Sequence, residues 1–401
     1  VILILGSIIT VRALNLSSNI FVGTKSSFYK TITDLIRGGG GNVKLIGEEQ
    51  DQINVLLLGV GGEGHDGAYL TDTIILAQIK PKEQKVSLTA IPRDYLADLG
   101  PMGFRKLNAA FAEGYSRNKN WDEAGKAARE AVEKISGQSV PYFGVVDFKG
   151  FVQAVDLLGG VEITVDRTFT DYKYPDSNEG YLAPVTFKQG TEVMSGSRAL
   201  IFTRSRHASG PEGSDFSRSI RQQKVISAVK QKVVSLELIT DLTKLNKLLS
   251  VFGNHVHTNL SPGELLHLFS LTKDFSESNI VSTSLDPSSG LICPEILESN
   301  GAYVLSICPG KTKIDVQNFF KNIFNTGQLT GEKSVIWLAD STKGQTKYKR
   351  AEKQLTASGL TVYQIGYTGE PLLQTVFYQV NKKPATESFI KETFSATEVT
   401  L

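Results

Sequence analysis

Only two of the 401 residues are cysteine, Cys293 and Cys308. They form no C-x-x-C pair and no zinc-ligand spacing, which excludes a structural zinc centre and a thioredoxin-type redox motif. Fifteen residues apart, in L-I-C-P and S-I-C-P segments that read as neighbouring strands, they allow either one disulfide, as expected outside the cytosol, or two buried thiols. An excess of one charge is also missing: 43 Lys and Arg against 41 Asp and Glu leave a net +2, so the global balance does not point to nucleic acid. There is no Walker loop and no G-x-S-x-G elbow. The glycines of GVGGEG, at 59–64, lack the G-x-G-x-x-G spacing followed by a helix. His255 and His257 form an H-x-H without a third ligand and read as structural. Long hydrophobic runs are absent too. The opening VILILGSIITV has eleven apolar or small residues, short of the ~20 that cross a bilayer. We read residues 1–14 as the remnant of a longer N-terminal transmembrane anchor and 15–50, with its glycine run at 38–41, as a juxtamembrane linker.

What the sequence does contain is a local concentration of arginine. LIFTRSRHASGPEGSDFSRSIRQQ, at 200–223, places Arg204, Arg206, Arg218 and Arg221 within eighteen residues, beside Asp215 and Gln222. Residues 199–203 are β-branched and aromatic, which predicts a buried strand ending at Arg204. Two apart in extended chain, Arg204 and Arg206 would share a face. Residues 207–213 read as loop, and Ser214 or Asp215 is placed to cap a helix running through Ile226, Val229 and Val233. Arg218, Arg221 and Gln222 then occupy one face of its first turns. Guanidinium groups grip phosphate oxygens bidentately, and a helix N-terminus adds N–H donors and the positive end of its dipole. The cluster suits a multiply charged anion, most simply a pyrophosphate; the competing reading is a solvated basic face neutralised by carboxylates.

The surrounding pattern is α/β. INVLLL at 53–58 is the continuous apolar run of a central strand covered on both faces, and it leads into the glycine-rich loop that begins GVGGEGHDG. Residues 74–79 and 86–91 read as a hairpin ending in Pro92-Arg93-Asp94, a charged pair at a strand end. Helices are expected at 106–115, 121–135, 148–158, 236–252 and 262–272, strands at 142–146 and 161–165, and a long polar loop at 168–190. A domain at 51–325, a linker at 326–333 and a small α/β module at 334–401 complete the chain. Within that module 348–358 reads as helix, and VIWLAD, LTVYQIG and LLQTVFYQV read as strands.

RSRHASGPEGSDFSRSIRQQK resembles the signature of the LytR-CpsA-Psr family, an R-x-R pair, a short loop, then D-x-x-R-x-x-R-Q-Q, with extra loop length between His207 and Ser214. Further segments match in order between Asn54 and Gln223: NVLLLG, TDTIIL, VSLTAIPRD, KLNAAFAEGY and VDLLGGVEITV. The terminal module looks like the C-terminal domain of some members. The resemblance implies an α-β-α sandwich around a mixed central sheet, held outside the cytoplasmic membrane by a single N-terminal helix, with a polyprenyl phosphate tail in its core. It implies Mg2+-dependent transfer of a glycopolymer, with its linking phosphate, from polyprenyl pyrophosphate to a cell-wall hydroxyl, usually of peptidoglycan. Carried over to this chain, the pyrophosphate ligands are Arg93, Arg204, Arg206, Arg218 and Gln222, with Lys106 and Arg221 beside them. Arg93, Asp94, Arg204 and Arg206 make up the catalytic group, where Asp94 or Asp72 is a base, or Asp94 only orients Arg93.

The metal site departs from the family pattern. Members commonly show G-x-D after the first strand and R-S-D-T later, and the two aspartates hold the ion. Here Asp72 in LTDT matches the second, Gly61 stands at the first and Leu70 replaces the motif arginine; Asp66 is the expected substitute. Magnesium accepts one or two carboxylates with phosphate oxygens and waters. The competing functions are a non-catalytic polyprenyl-phosphate-binding module, a lipid pyrophosphatase using water, and a membrane-bound transcriptional attenuator, for which the sequence offers no DNA-reading helix.

Overall fold

The computed structural model describes residues 43–399 except 176–179, 209, 236–254, 277–278, 325–333, 342–344, 358–359 and 368. The expected anchor, most of the juxtamembrane linker, the helix at 236–252 and the 326–333 linker lie outside the described residues. No described helix is long and apolar enough to cross a membrane.

The apolar run predicted as a central strand is β1 (Ile53–Val60), and the hairpin is β2 (Thr71–Lys80) with β3 (Lys85–Ala90). A short pair, β4 (Leu96–Asp98) and β5 (Phe104–Lys106), precedes α1 (Ala109–Asn118), so the helix expected from 106 starts three residues later. Helix α2 (Trp121–Ser136) is capped by the Asn120 side chain, which accepts the Asp122 and Glu123 N–H groups, and ends at Gly137 in the left-handed region (φ 67°). Next come β6 (Tyr142–Asp147), α3 (Phe148–Leu157), β7 (Val161–Val165), β8 (Phe169–Asp171), β9 (Val185–Phe187) and β10 (Gly190–Met194). The arginine stretch lies on α4 (Gly196–Arg204) and α5 (Asp215–Ser235). The domain continues through β11 (Val256–Thr258), α6 (Pro262–Thr272), β12 (Ile280–Ser284), β13 (Ile292–Ile296), β14 (Tyr303–Ile307) and α7 (Lys313–Lys321).

Six strands form one mixed sheet in the order β11-β6-β1-β2-β3-β12. β1 is parallel to β6 and antiparallel to β2, at the centre. Alternate residues of β1 feed two cores. Leu56, Leu58 and Val60 pack with Phe111, Val132 and Phe320 from α1, α2 and α7. Ile53 and Val55 join Phe275 and the partly buried Ile226 and Leu268 on the other face. Helices on both faces of a mixed sheet are the expected α-β-α sandwich.

Two expectations fail for identifiable reasons. Residues 199–203 are helix, not strand. Ser195 caps α4, and Ala199 and Phe202, three apart, are both buried against Phe169 and Phe187, a tertiary contact that overrides the β-branched bias. β7 is a strand as predicted but pairs with β10 outside the main sheet, and the supposed loop at 168–190 contains β8 and β9. The alternation of β7, with Val161, Ile163 and Val165 buried and Glu162 and Thr164 exposed, is that of a one-sided antiparallel strand.

Cys293 and Cys308 are joined in a disulfide, which resolves the open alternative. Beyond the linker, β15 (Val335–Ala339), α8 (Gln345–Ala357), β16 (Thr361–Ile365), β17 (Val376–Phe377), α9 (Pro384–Phe394) and β18 (Thr397–Glu398) follow. β15 and β16 pair in parallel over a small apolar cluster that includes Leu338, Leu355, Leu360 and Phe389. The expected third long strand is reduced to β17, and α9 was not foreseen.

Candidate active site

A cavity of about 370 Å³ opens where β1, β2 and β6 meet α4 and α5. Its wall is apolar, with Leu57, Ile75, Val145, Phe151, Val225 and Ile226. Arg93, Arg204, Arg206, Arg218 and Gln222 line the same cavity, together with Asp72. Five of the seven residues expected to bind pyrophosphate therefore converge on one space.

The backbone explains how they converge. In the β1–β2 pairing Gly59 faces Thr73 and Val60 faces Thr71, leaving Asp72 as the extra residue of a β-bulge. Bulges re-aim side chains, and this one turns Asp72 to the cavity. Arg93 follows β3, and its Nη1 donates to Asp72 Oδ1 at 2.5 Å. Its Nε is 3.5 Å from Asp94 Oδ2, while Lys106 Nζ donates to Asp94 Oδ1 at 2.6 Å. Asp94 and Lys106 do not line the cavity. The geometry favours the reading in which Asp94 clamps Arg93, and it pairs Lys106 with Asp94 rather than with the cavity lining.

Arg204 sits on the last turn of α4. Its guanidinium lies 4.2 Å from the Phe148 ring centroid and 5.5 Å from that of Tyr174, and Nη1 donates to the Tyr174 hydroxyl at 3.3 Å. Burial pushes the Tyr174 phenol up against the opposing pull of Arg204, so it stays a neutral partner. Ser205 takes an extended step (φ −57°, ψ 128°), so Arg204 and Arg206 reach the same cavity although the strand that would have aligned them is a helix. The carboxylate of Asp171, 1% exposed, accepts the backbone N–H groups of Lys173, Arg206 and His207 at 2.9, 3.1 and 3.4 Å, fixing the turn that carries Arg206. The Ser214 hydroxyl caps α5 by accepting the Ser217 N–H at 3.1 Å. Arg218 and Gln222, one turn apart, face the cavity, and Gln222 Nε2 donates to Thr73 Oγ1 at 2.9 Å.

Arg221 does not share that face. It is 3% exposed and donates from Nε to the Phe202 carbonyl at 3.0 Å, from Nη2 to the Ser205 carbonyl, and from Nη1 to the carbonyl and carboxylate of Glu212 at 3.1 and 3.0 Å. These include carbonyls left open where α4 ends. Burial lowers its pKa to about 10, with Glu212 opposing the shift. Arg221 is a structural tie between α4 and α5, which corrects its assignment as a pyrophosphate ligand.

A sequence profile of the LytR_cpsA_psr family matches residues 22–308. The chain belongs to the LytR-CpsA-Psr family. It is 30% identical over 236 residues to a protein of Oceanobacillus iheyensis named polyisoprenyl-teichoic acid–peptidoglycan teichoic acid transferase TagU, across 59% of this chain and 67% of that one. Biofilm regulatory protein A of Streptococcus mutans is 29% identical over 257 residues, across 61% and 58%. The chain thus spans 58% to 67% of the length of these two curated relatives. Protein gbs0355 from Streptococcus agalactiae superposes with a TM-score of 0.53 at 27% identity, over 69% of this chain and 89% of that one. A structure of TagT bound to LI-WTA superposes with a TM-score of 0.51 at 23% identity, over 70% and 94%, a likeness of fold.

Within this LytR-CpsA-Psr cavity the donors for a cation are few. Among the described residues no three His, Cys, Asp or Glu side chains are grouped to hold a metal ion. Asp72 lines the cavity, whereas Asp66 lies on the exposed turn of the glycine loop and does not, so the geometry removes the expected substitute ligand. Three carboxylates, Asp72, Asp147 and Asp171, line the cavity, and of these Asp72 is the one the family pattern expects to bind metal.

Three cavity features escaped sequence reasoning. Asp147 was detectable as a helix N-cap, since it stands between a buried strand and an amphipathic helix and its Oδ1 accepts the Gly150 N–H. Asp171, and the Phe148 and Tyr174 rings around Arg204, carried no local signal.

Proposed function

We propose that this LytR-CpsA-Psr chain is a membrane-anchored, extracytoplasmic phosphotransferase. It moves a glycopolymer with its linking phosphate from polyprenyl pyrophosphate to a peptidoglycan hydroxyl. The observation that carries the reading is the division of one cavity into an apolar wall and a cluster of four arginines with Gln222. That division matches a ligand with an anionic head and an apolar tail, because guanidinium pairs with phosphate while the tail replaces water on the wall. The name of the Oceanobacillus iheyensis relative supports the same reaction class.

In this reading the arginines bind the pyrophosphate and face the charge that develops on the transferring phosphoryl group and the leaving lipid phosphate. The aromatic packing of Arg204 and the Asp72–Arg93–Asp94 ion pairs hold those guanidiniums before substrate arrives, which avoids reorganisation during the reaction. Asp72 would hold a Mg2+ ion, which would supply additional charge neutralisation. The scarcity of protein ligands for that ion supports one second reading, a lipid-binding module without turnover.

The test incubates the purified chain with a short polyprenyl-pyrophosphoryl saccharide and peptidoglycan fragments, with and without Mg2+, beside Arg204→Ala. Mass spectrometry follows transfer of the saccharide phosphate. Metal-dependent transfer lost in the variant is the expected result. Tight lipid binding without turnover, equal in chelator, would establish the binding module instead.

A further inference from the structure

We infer that Asp147 is the proton acceptor for the attacking hydroxyl and that His255 behind it is its positioning residue; the inference rests on the phosphotransferase reading. A hydroxyl nucleophile needs a nearby group to take its proton as the new bond forms. Three carboxylates line the cavity: Asp72, Asp147 and Asp171. Asp72 is engaged by the Arg93 guanidinium at 2.5 Å. Asp171 is occupied by three backbone N–H groups and holds the turn that carries Arg206.

Asp147 differs in its partners. Its Oδ1 accepts the Gly150 N–H at 2.7 Å, and its Oδ2 lies 2.7 Å from His255 Nδ1. It is the cavity carboxylate whose side-chain partner is an imidazole, the group that changes charge near neutral pH. The His255 side chain is 21% exposed, so a proton received by the pair has a way out to solvent.

The location is also right. Asp147 is the last residue of β6 and pairs with Val60, whose partner on the other side is Thr71, next to Asp72. The two carboxylates therefore flank the end of β1. The next residue, Phe148, carries the Arg204 guanidinium at 4.2 Å. Gly62 (φ +85°) closes over the carboxylate, and a Cβ there would lie 2.8 Å from Asp147 Cβ. Near the pair, Tyr69 of the glycine loop interacts electrostatically with Asp147 and Glu63, while His65 and Arg204 of α4 pack on the neighbouring Phe148 ring. The Tyr69 phenol is pushed up to about 12, chiefly by burial, and His65 sits edge-on to Phe148 at 5.4 Å.

The step balances. The acceptor O–H bond breaks and its proton passes to Asp147 while the oxygen bonds to the phosphorus that carries the glycopolymer. The P–O bond to the lipid phosphate breaks, its electron pair leaves with the lipid monophosphate, and the proton reaches solvent through His255.

Asp147→Asn keeps the helix cap, because asparagine caps as well as aspartate. Its transfer rate is expected to fall at least ~100-fold, with affinity for a short-chain polyprenyl pyrophosphate unchanged. His255→Gln, which removes the 2.7 Å imidazole contact to Asp147, is expected to lower kcat without changing KM. Wild-type transfer rates in Asp147→Asn, parallel loss of affinity and rate in that variant, or an unchanged kcat in His255→Gln would each overturn the assignment. A wild-type chain that binds lipid but transfers nothing would instead overturn the phosphotransferase reading itself.

Discussion

The guanidinium of Arg93 meets the carboxylate of Asp72 at 2.5 Å, beside the β-bulge that interrupts the pairing of β1 with β2. Because Asp72 is the residue that the bulge turns out of the ladder, its carboxylate and the Arg93 guanidinium share one position at the cavity. Substrate phosphate competes with Asp72 for Arg93 and at the same time presents oxygens to an ion on Asp72, so headgroup and cation are expected to bind together.

Metal dependence should therefore map to Asp72. In Asp72→Asn, Mn2+ binding followed by electron paramagnetic resonance in the presence of pyrophosphate is expected to weaken about tenfold or more, as one lost charged ligand implies. Asp66→Asn should bind as the wild type. Equal losses in the two variants would return Asp66 to the site.

The arginines separate into ligands and supports. Arg221→Ala leaves several buried carbonyls and the Glu212 carboxylate without their donor, and should lower unfolding free energy by about 2–4 kcal/mol in urea titration. Arg218→Ala, at the cavity, should mainly weaken lipid pyrophosphate binding. A larger loss of binding than of stability in Arg221→Ala would contradict the structural role.

Ile226 contributes to the apolar wall from α5. Ile226→Trp projects a ring into a cavity of about 370 Å³ and should weaken polyprenyl pyrophosphate binding while leaving inorganic pyrophosphate affinity intact. Calorimetry with the two ligands separates the outcomes; equal weakening would mean that the tail does not occupy the wall.

The Cys293–Cys308 bridge closes a 15-residue separation around the β13–β14 hairpin, for which chain entropy gives about 3 kcal/mol. Leu305 of that hairpin donates its N–H to the Asp94 carbonyl at 2.9 Å, beside Arg93. Cys293→Ser with Cys308→Ser should lower stability in denaturant titration by roughly that amount. Unchanged stability would show that the hairpin holds by packing alone.

Elements set by local pattern were readable in advance. β1 and the β2–β3 hairpin came from continuous apolar runs, and α2 and α6 from their amphipathic apolar spacing. The helix at α4 was not, because its run is short and the burial of Ala199 and Phe202 against Phe169 and Phe187 decided the backbone.

The arginine signature and the ordered motifs around it pointed to the family and to Arg93 of the P-R-D segment, Arg204, Arg206, Arg218 and Gln222, because side-chain chemistry and spacing along the sequence are local properties. Only the tertiary structure decided that Arg221 turns inward, that Asp94 and Lys106 stand behind Arg93, and that Asp147 and Asp171 join the cavity. Those outcomes depend on which carbonyls, carboxylates and strands from distant parts of the chain are brought within hydrogen-bonding distance, and residue spacing carries no record of that.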